Sequence, residues 1–468
     1  MIYMFINGEW INRKDIEVKN PYNNEIIGYI PSLSRNETKE AIKIAEEHKS
    51  TMKNLSPTIR YNILMKIASE LSKNKRELAK LITIDVGKPI KQSIIEVDRT
   101  ITTFKFSAFY SRELRGETIP FDDGMVITKR EPVGLVGAIT PFNFPLNLFA
   151  HKIAPAIAMG NSIVAHPSSK APMITIELTK IIEKVLKSKK IPLGVFNLLT
   201  GEGHIVGDEI VKNNKINKLS FTGSVEVGES ITKKAGFKKI TLELGGNNPM
   251  IILKDANINK AVESCMSGKF LNSGQVCISV GRVLIEQEVA DEFINKIVEK
   301  VKKLKIGNPL DEDTNISSLI SLDSAERVEK LINKSIGQGG KLICGGKREN
   351  SIIYPTILEI TADNILANIE IFAPVLPIIR VNDMNEALNQ ANNSNYGLHS
   401  GVFTQDINKA LYFADNLEYG GVLINNSPTF RIDNMPFGGI KHSGLGREGI
   451  KYAIDEMSEI KTIIVNTK

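Results

Sequence analysis

The segment KLSFTGSVEVGESITKKAGFKKITLELGGNN, residues 218–248, decides the fold of this chain. It contains two short apolar stretches, KLSFTG and KITLELGG, with a helix-forming stretch from Val225 to Ala235 between them. A strand, a helix and a second strand in this order are typical of a βαβ unit, whose two strands run parallel. The segment therefore predicts one unit of a doubly wound parallel sheet.

The same alternation of strands and helices continues on both sides of this segment. Towards the N-terminus, the predicted strands are GLVGAIT, SIVAHP and VFNLLTG, with helices over 171–187 and 205–213. Towards the C-terminus, the predicted strands are MIILKD, SVGRVLIE, VLPIIRV, SGVFT and GGVLIN, with helices over 258–271, 289–304, 324–336, 385–391 and 407–416. The pattern predicts an α/β fold made of two α/β units in tandem.

Two further regions flank these units. From Arg35 to Phe109, apolar residues recur at three- and four-residue spacing with charges between them, which predicts a layer of helices. Between Thr118 and Pro141, the turn Asp122-Asp123-Gly124 separates runs of Val and Ile, as in a hairpin. We therefore expect a helical N-terminal layer followed by a protruding β-arm.

Composition excludes several classes of protein. The chain has 468 residues, of which 42% are hydrophobic and 24% charged, and a net charge of +6. These values are typical of a globular protein and too weakly basic to indicate a nucleic-acid partner. The N-terminal stretch has no apolar core of a signal peptide, and the apolar runs are too short to span a membrane. We expect a cytoplasmic protein without a membrane or nucleic-acid partner.

The three cysteines, Cys265, Cys277 and Cys344, are odd in number, and no two have the spacing of a zinc or redox pair. We expect a reducing compartment and no metal site. Cys277 lies in SGQVCISVGR, between a helix and a β-rich run, where loop amides can lower a thiol pKa. It is thus a candidate nucleophile, although a buried structural cysteine is the commoner case.

Two glycine-containing turns are candidate phosphate sites. In FTGSVEVG, Gly223 allows a tight turn, and Ser224 can cap a helix whose N-terminal amides favour an anion. TGEGHIVG places Gly201, Gly203 and Gly207 at another strand-to-helix turn, one residue away from the G-x-G-x-x-G spacing. Plain turn glycines remain the alternative for both.

Two polar side chains could support a nucleophile. Glu243 ends a predicted strand before Gly245 and Gly246, where a carboxylate can activate water; a solvated loop glutamate is the alternative. Asn143 lies in TPFNFPLN, where two prolines stiffen the loop, so its amide could donate to an oxyanion; an ordinary turn asparagine is the alternative.

Seven motifs occur together in a characteristic order: FNFP, the Pro-Ser pair after SIVAH, FTGSVEVG, ELGG, GQVC, EIFAP and PFGGIKHSGLGREG. Through them, nearly the whole chain resembles the aldehyde dehydrogenase superfamily, and within it the archaeal lactaldehyde dehydrogenases. The resemblance implies a Rossmann-like NAD(P)-binding domain over 1–117 and 141–245, and an α/β catalytic domain over 246–440. A small β oligomerisation element would comprise 118–140 and 441–468, and a homodimer or homotetramer would form through the arm and the C-terminal strand.

The resemblance also implies residue roles. Cys277 would attack the aldehyde to give a thiohemiacetal and then a thioester, with Asn143 and the Cys277 amide stabilising the oxyanion and Glu243 activating water. Ser224 would contact the cofactor pyrophosphate, and Glu370 and Phe372 would position the nicotinamide ribose and ring. The full set of implied cofactor-binding residues is Thr140, Pro141, Phe142, His166, Ser169, Phe221, Thr222, Gly223, Ser224, Gly228, Leu244, Gly245, Glu370 and Phe372.

The chain departs from the family pattern at the adenosine end of the cofactor. It has His166 where many members have Lys, and Ser169 where NAD-preferring members often have Glu. Without that carboxylate, a 2′-phosphate meets no repulsion. The resemblance therefore implies NAD, with NADP as the alternative. Ala373 in EIFAP and Asn247 in ELGGNNP also differ from the usual residues, and we expect little catalytic consequence.

The substrate that the resemblance implies is a small 2-hydroxyaldehyde, oxidised in the leading hypothesis from lactaldehyde to lactate. The alternative is a non-phosphorylating glyceraldehyde-3-phosphate or succinate-semialdehyde dehydrogenase. Val276 before the nucleophile disfavours a phosphorylated aldehyde, whereas Arg431 favours an anionic one unless it is a surface residue. Phe142 and Phe430 could wall a narrow pocket.

Two further expectations concern the role of the protein as a whole. A non-catalytic member of the family is disfavoured because Cys277, Glu243 and Asn143 are all present. Lactaldehyde dehydrogenases of this type have been linked to making lactate for a deazaflavin coenzyme. The resemblance thus also implies a place in that coenzyme's biosynthesis.

Overall fold

A computed structural model describes residues 4–467, so residues 1–3 and 468 of the predicted domains lie outside it. The strands are β1 (Met4–Ile6), β2 (Glu9–Ile11), β3 (Ile16–Lys19), β4 (Ile26–Ile30), β5 (Thr118–Phe121), β6 (Gly124–Pro132), β7 (Leu135–Ile139), β8 (Ser162–His166), β9 (Phe196–Leu198), β10 (Lys218–Thr222), β11 (Lys239–Glu243), β12 (Asn248–Ile252), β13 (Val280–Glu286), β14 (Lys341–Cys344), β15 (Arg348–Glu349), β16 (Ile352–Ile353), β17 (Thr356–Glu359), β18 (Val375–Val381), β19 (His399–Phe403), β20 (Gly421–Ile424), β21 (Gly444–Leu445) and β22 (Ser458–Asn466). The α-helices are α1 (Arg35–Glu47), α2 (Lys49–Asn54), α3 (Pro57–Lys73), α4 (Lys75–Val86), α5 (Ile90–Tyr110), α6 (Pro145–Met159), α7 (Met173–Ser188), α8 (Asp208–Lys212), α9 (Val225–Lys234), α10 (Ile258–Phe270), α11 (Gln287–Val301), α12 (Leu322–Gly337), α13 (Met384–Asn392), α14 (Ile407–Asn416) and α15 (Ile450–Glu456).

The larger sheet has eight strands in the order β2-β1-β9-β8-β7-β10-β11-β21. Its five central strands, β9, β8, β7, β10 and β11, are parallel, and the strands at both edges are antiparallel. The chain runs outward from β7 to β9 and then returns to β10 on the other side of β7. The predicted doubly wound fold is confirmed, and its switch point lies between β7 and β10.

Helices cover both faces of this sheet. Helices α3 to α7 contribute to one apolar cluster and α1, α8 and α9 to another on the opposite face. Helix α6 is buried along its whole length, and the sequence pattern did not predict it because an all-round buried helix has no polar face to give a 3.6-residue period. None of the helices within 4–467 is long and apolar enough to cross a membrane.

The second sheet has seven strands in the order β14-β17-β18-β13-β12-β19-β20. All its neighbouring strands pair in parallel except β14, which is antiparallel to β17. Helices α10 and α11 pack on strand β13. The predicted second α/β unit therefore has a core of its own on each face of its sheet.

A third, three-stranded sheet has the order β22-β6-β5, and β22 pairs with β6 from Gly124 to Pro132. Its strands fit the predicted β-arm, but the predicted boundaries are too wide. Strand β7 lies at the centre of the large sheet, β21 pairs with β11, and α15 packs on α6. The reason is burial: β6 is partly exposed along its length, whereas every residue of β7 is buried.

Candidate active site

Three loops of the large sheet meet at the carboxyl ends of its strands, beside the switch point. They follow β7, β10 and β11, so the parallel strands deliver residues 140–143, 222–224 and 243–245 to one edge. A cavity of about 190 Å³ lies there. Its lining residues are Pro141, Phe142, Asn143, Thr222, Gly223, Ser224, Glu243, Leu244, Gly245, Cys277, Glu370 and Phe372. Every one of these residues belongs to the predicted site.

Cys277 reaches this cavity from the turn between α10 and β13. Just before it, Asn272 and Ser273 adopt φ angles of 50° and 52°, in the left-handed region that non-glycine residues rarely occupy. Asn272 Nδ2 donates to the Asn143 carbonyl oxygen at 3.0 Å, and Ser273 Oγ donates to the Ser317 carbonyl oxygen at 3.0 Å. These bonds hold the strained turn in place and tie it directly to the loop that carries Asn143.

The environment of the Cys277 thiol is electrostatically mixed. Burial raises its pKa to about 12, the positive charge of Arg431 opposes that rise, and Glu370 and Glu243 add to it. The resting group is therefore a protonated thiol. Because it faces the cavity together with a carboxylate, a proton acceptor is at hand, and a nucleophilic thiolate can form.

Asn143 is buried beside Cys277. Its Nδ2 donates to the Gln275 carbonyl oxygen at 3.0 Å, whereas its Oδ1 accepts no hydrogen bond from residues 4–467. An Nδ2 amide has two N–H groups, so one remains for an oxygen atom in the cavity. This geometry suits a donor to an oxyanion on a carbon bonded to Cys277.

Glu243 is only 3% exposed, so it is not a solvated loop residue. Neither carboxylate oxygen has a hydrogen-bond partner among the described residues. Burial, together with the negative charge of Glu448, raises the pKa of Glu243 well above its ordinary value, and Arg431 and Lys152 oppose this rise. A carboxylate in such surroundings takes up a proton readily, as a general base for water must.

Glu448 and Lys152 belong to this site but were not predicted. Lys152 Nζ donates to Glu448 Oε1 at 2.7 Å and to Ser220 Oγ at 3.1 Å. Although burial opposes ionisation, the charges of Lys152 and Arg431 lower the pKa of Glu448 to about 2. Lys152 is the single Lys in the apolar run of α6, and Glu448 lies in the quoted PFGGIKHSGLGREG motif. Both signals were visible in the sequence.

The cradle at β10 and α9 fits a dinucleotide. Ser224 Oγ accepts from the Val227 amide at 3.4 Å, which confirms it as the cap of α9. Gly223 is needed for close approach and not for a left-handed turn: a Cβ there would lie 2.3 Å from the Phe221 ring. The Oγ1 atoms of Thr140 and Thr222 are buried without a partner within 4–467. Unpaired hydroxyls beside a helix N-terminus suit a pyrophosphate and its ribose.

Glu370 and Phe372 close the other side of the cavity. The Gly246 amide donates to Glu370 Oε1 at 3.2 Å, and burial raises the pKa of Glu370 to about 7. The rings of Phe372 and Phe142 meet edge to face at 6.0 Å. A carboxylate acceptor and an aromatic edge thus line this side of the cavity.

The remaining predicted cofactor residues lie outside the cavity lining. His166 is buried, its Nδ1 lies 2.8 Å from the Leu199 carbonyl oxygen, and burial lowers its pKa. Ser169 is half-buried in the loop beyond it. Gly228 supports the cradle from beneath, because a Cβ there would lie 2.5 Å from Leu244. In TGEGHIVG, residues Gly203–Gly207 form a π-helical turn.

Besides Asn143, the predicted substrate residues are Arg431 and Phe430, and these two differ in placement. The Arg431 side chain is 6% exposed and therefore not a surface residue. Its guanidinium lies 3.7 Å from the Phe437 ring centre and 3.6 Å from Glu448 Oε2, and its Nε and Nη2 have no hydrogen-bond partner among the described residues. Phe430, in contrast, is 47% exposed and does not line the cavity that Phe142 lines.

Several known proteins are similar to this chain in sequence and structure. A family model described as the aldehyde dehydrogenase family matches residues 10–463. A lactaldehyde dehydrogenase of Methanocaldococcus jannaschii is 63% identical over 463 residues, which cover 99% of this chain and 100% of that protein. A 3-sulfolactaldehyde dehydrogenase of Priestia aryabhattai is 39% identical over 472 residues, with 99% and 98% covered. The crystal structure of the glyceraldehyde-3-phosphate dehydrogenase GapN of M. jannaschii complexed with NADP has a TM-score of 0.97 and 62% identity, with 97% of this chain and 100% of that chain covered.

Proposed function

The chain belongs to the aldehyde dehydrogenase family, and from that premise we propose that it oxidises a short 2-hydroxyaldehyde, lactaldehyde before others, to its carboxylate with NAD. Family membership makes it an enzyme that converts aldehydes to acids. The observation that carries the proposal is the cavity in which Cys277, Glu243 and Asn143 face the dinucleotide cradle.

In the proposed mechanism, Cys277 Sγ gives its proton to the Glu243 carboxylate, which passes it on to bulk water. The thiolate then bonds to the aldehyde carbon, giving a thiohemiacetal whose oxygen carries the negative charge. Asn143 Nδ2 donates a hydrogen bond to that oxygen. A nicotinamide cofactor, when bound in the cradle, would supply the hydride acceptor, and loss of the hydride from the same carbon would leave a thioester on Cys277. Glu243 then takes a proton from a water molecule that attacks the thioester carbon, and the acid leaves as the Cys277 thiolate is released.

The substrate class follows from what the relatives' names have in common. Lactaldehyde, 3-sulfolactaldehyde and glyceraldehyde-3-phosphate all carry a hydroxyl group on the carbon next to the aldehyde, and they differ at the third carbon. Lactaldehyde, which has no charged group, is our first choice. The test is the formation of reduced cofactor by the purified protein with lactaldehyde and NAD. Silence with both NAD and NADP would overturn the proposal.

A second candidate substrate is an anionic aldehyde, glyceraldehyde-3-phosphate or succinate semialdehyde. It is favoured by the buried Arg431, whose Nε and Nη2 have no partner within 4–467, and by the name of the structural relative GapN. A higher kcat/KM for the anionic aldehyde than for lactaldehyde, lost in Arg431→Ala, would support this candidate. A lower kcat/KM for the anionic aldehyde than for lactaldehyde in the wild type would overturn this candidate.

The choice between NAD and NADP is proposed from the adenosine end of the cradle. Ser169 carries no charge there to repel a 2′-phosphate, and the structural relative GapN was crystallised with NADP. We therefore propose that the enzyme accepts both cofactors, with NAD preferred. Parallel kinetics with the two cofactors decide the order, and Ser169→Glu should reduce kcat/KM with NADP more than with NAD.

We also propose that copies of this chain associate. Ile119 on β5 and Ile460 and Ile464 on β22 are 50%, 62% and 65% exposed, an unusual amount for large apolar side chains on one small sheet. A dimer or tetramer would cover them, and light scattering would give the number of subunits.

We further propose that the protein works in the cytoplasm, whose reducing conditions would keep the Cys277 thiol free. We also propose that the lactate formed by this enzyme is used to make a deazaflavin coenzyme.

A further inference from the structure

His151 lies on α6, one residue before Lys152, and is 1% exposed. Its Nε2 lies 3.0 Å from Asp433 Oδ1 and 3.4 Å from Thr103 Oγ1. Arg99 Nη2 donates to the same Asp433 oxygen at 2.7 Å. Although burial opposes ionisation, His151 and Arg99 hold the pKa of Asp433 well below its usual range. Asp433 is therefore an acceptor, and Nε2 is the ring nitrogen that carries the proton.

The other nitrogen of His151 is then a bare acceptor. Burial and the charge of Arg431 lower the pKa of His151, so the ring is neutral with a single proton. Nδ1 is buried and has no hydrogen-bond partner among residues 4–467. A buried acceptor without a donor is costly, and in a native site it calls for a partner that the protein itself does not supply.

Arg431 provides the complementary donors. Its Nε and Nη2 are buried and without hydrogen-bond partners in the described part of the chain. The guanidinium packs on Phe437, which belongs to the apolar cluster that Cys277 contacts. Its Nη2 also lies 3.6 Å from Glu448 Oε2, and the other oxygen of Glu448 accepts from Lys152, the residue after His151. A buried acceptor and buried donors, all without hydrogen-bond partners in the described part of the chain, are thus linked through Lys152 and Glu448.

We propose that His151 and Arg431 bind the hydroxyl group on the second carbon of the substrate, with His151 Nδ1 accepting from its O–H and Arg431 donating to its oxygen. An alcohol suits this pair because it donates and accepts at one atom. A carboxylate or phosphate would accept from Arg431 but would offer no proton to Nδ1. Asp433 acts through His151 by fixing its tautomer. This inference rests on the proposed function, because it requires a 2-hydroxyaldehyde as substrate.

Such a pair makes the enzyme selective against aldehydes that lack the hydroxyl group. When the hydroxyl is absent, the buried donors and the acceptor lose their partner, and the enzyme–substrate complex is less stable. The measurable quantity is the ratio of kcat/KM for lactaldehyde to kcat/KM for propanal, which has the same carbon chain without the hydroxyl group. A general loss of folded enzyme lowers both values equally and leaves this ratio unchanged.

The decisive variant is His151→Gln, whose amide can still reach Asp433 but places no acceptor at the Nδ1 position. We expect the ratio to fall about tenfold, the value of one hydrogen bond in a buried site. His151→Asn, which restores an acceptor near Nδ1, should recover part of the ratio. The matched control is His48→Gln, since His48 Nδ1 already lies 2.8 Å from the Ile44 carbonyl oxygen and the residue lies directly after α1, away from the cavity lining. The ratio of this control should equal that of the wild type.

The outcomes separate the two proposals. Suppose that the wild type prefers lactaldehyde to propanal and that the kcat/KM ratio of His151→Gln lies within about twofold of the wild-type ratio. This result overturns the role of His151 and leaves the proposed function standing. A wild type that does not oxidise lactaldehyde, or shows no preference over propanal, overturns the proposed substrate and this inference with it. A selective fall in His151→Gln with partial recovery in His151→Asn supports both.

Discussion

Cys265 and Cys277 have thiols of the same raised pKa and very different surroundings: Cys265 is buried, whereas Cys277 is half-buried. Burial raises the pKa of both the Cys265 and the Cys277 thiols to about 12. Cys265 lies on α10 within the apolar core of the second α/β unit. Cys277 faces a cavity with Asn143 and Glu243, close to the charge of Arg431. The comparison teaches that a thiol becomes a nucleophile through the groups that face it, which distant segments deliver, because the raised pKa is the same for both thiols.

The largest expected effect is the loss of the reacting sulfur. Cys277→Ala should lower kcat/KM by at least about 1,000-fold, because no other group in the cavity can form the thioester. Cys265→Ala, the matched control, should keep the wild-type rate, and both rates are read from the formation of reduced cofactor. Full activity of Cys277→Ala would refute the covalent mechanism.

The next effect concerns the base. Glu243→Gln should lower kcat by about 100-fold or more, because an amide cannot take the proton of the attacking water. If thioester hydrolysis is the step that fails, the acyl group accumulates on Cys277 and adds its mass to the intact protein in mass spectrometry. The role assigned to Glu243 would be wrong if the variant turned over at the wild-type rate.

A smaller effect lies in the pH dependence. Since the pKa of Glu243 is raised, it is protonated and inactive as a base on the acid side, and activity should rise with pH through its titration. The negative charge of Glu448 contributes to that raised pKa. Glu448→Gln should therefore move the acid limb of the kcat profile to lower pH. An unmoved or upward-shifted limb would contradict the coupling of these two carboxyl groups.

The smallest expected effect is the effect of Cys265 on stability. Cys265→Ala removes a fully buried sulfur from a packed core and should lower the free energy of unfolding by about 1 kcal/mol. Cys344→Ala, at a half-buried position on β14, is the matched variant and should cost less. Urea unfolding measures both, and an equal loss in the two variants would argue that burial does not set the cost.

Much of the fold was predictable because it follows from local patterns. The strands and helices around 218–248 show the alternation of a βαβ unit, and the structure confirms them as β10, α9 and β11. Helix α6 was missed because its fully apolar sequence has no polar face. The β-arm was drawn too wide because the change from the half-exposed β6 to the buried β7 is a matter of sheet position.

The candidate site likewise has one part that the sequence predicted and one part that it did not. The motifs predicted all the residues that line the cavity. Residues 140–143, 222–224 and 243–245 follow strands that end at the same edge of the large sheet, whereas Cys277 and Glu370 lie before strands of the second sheet. The predictions for residues that do not line the cavity were less accurate. Arg431 is buried, Phe430 is largely exposed, and Lys152 and Glu448 were left out although they form an ion pair. Such pairing depends on contacts across about 300 positions of sequence, which local spacing does not encode.

The sequence by itself determined the doubly wound α/β class, the family and the identity of the cavity residues, because strand periodicity, glycine placement and motif order are local properties of the chain. Only the tertiary structure decided which polar atoms remain without partners and which charges face one another. His151 illustrates the difference: in the sequence it is a histidine in an apolar run, and in the fold its Nδ1 is a buried acceptor near Arg431. Burial and long-range pairing arise only when distant segments pack together, and they set the protonation and hydrogen-bonding capacity that chemistry uses.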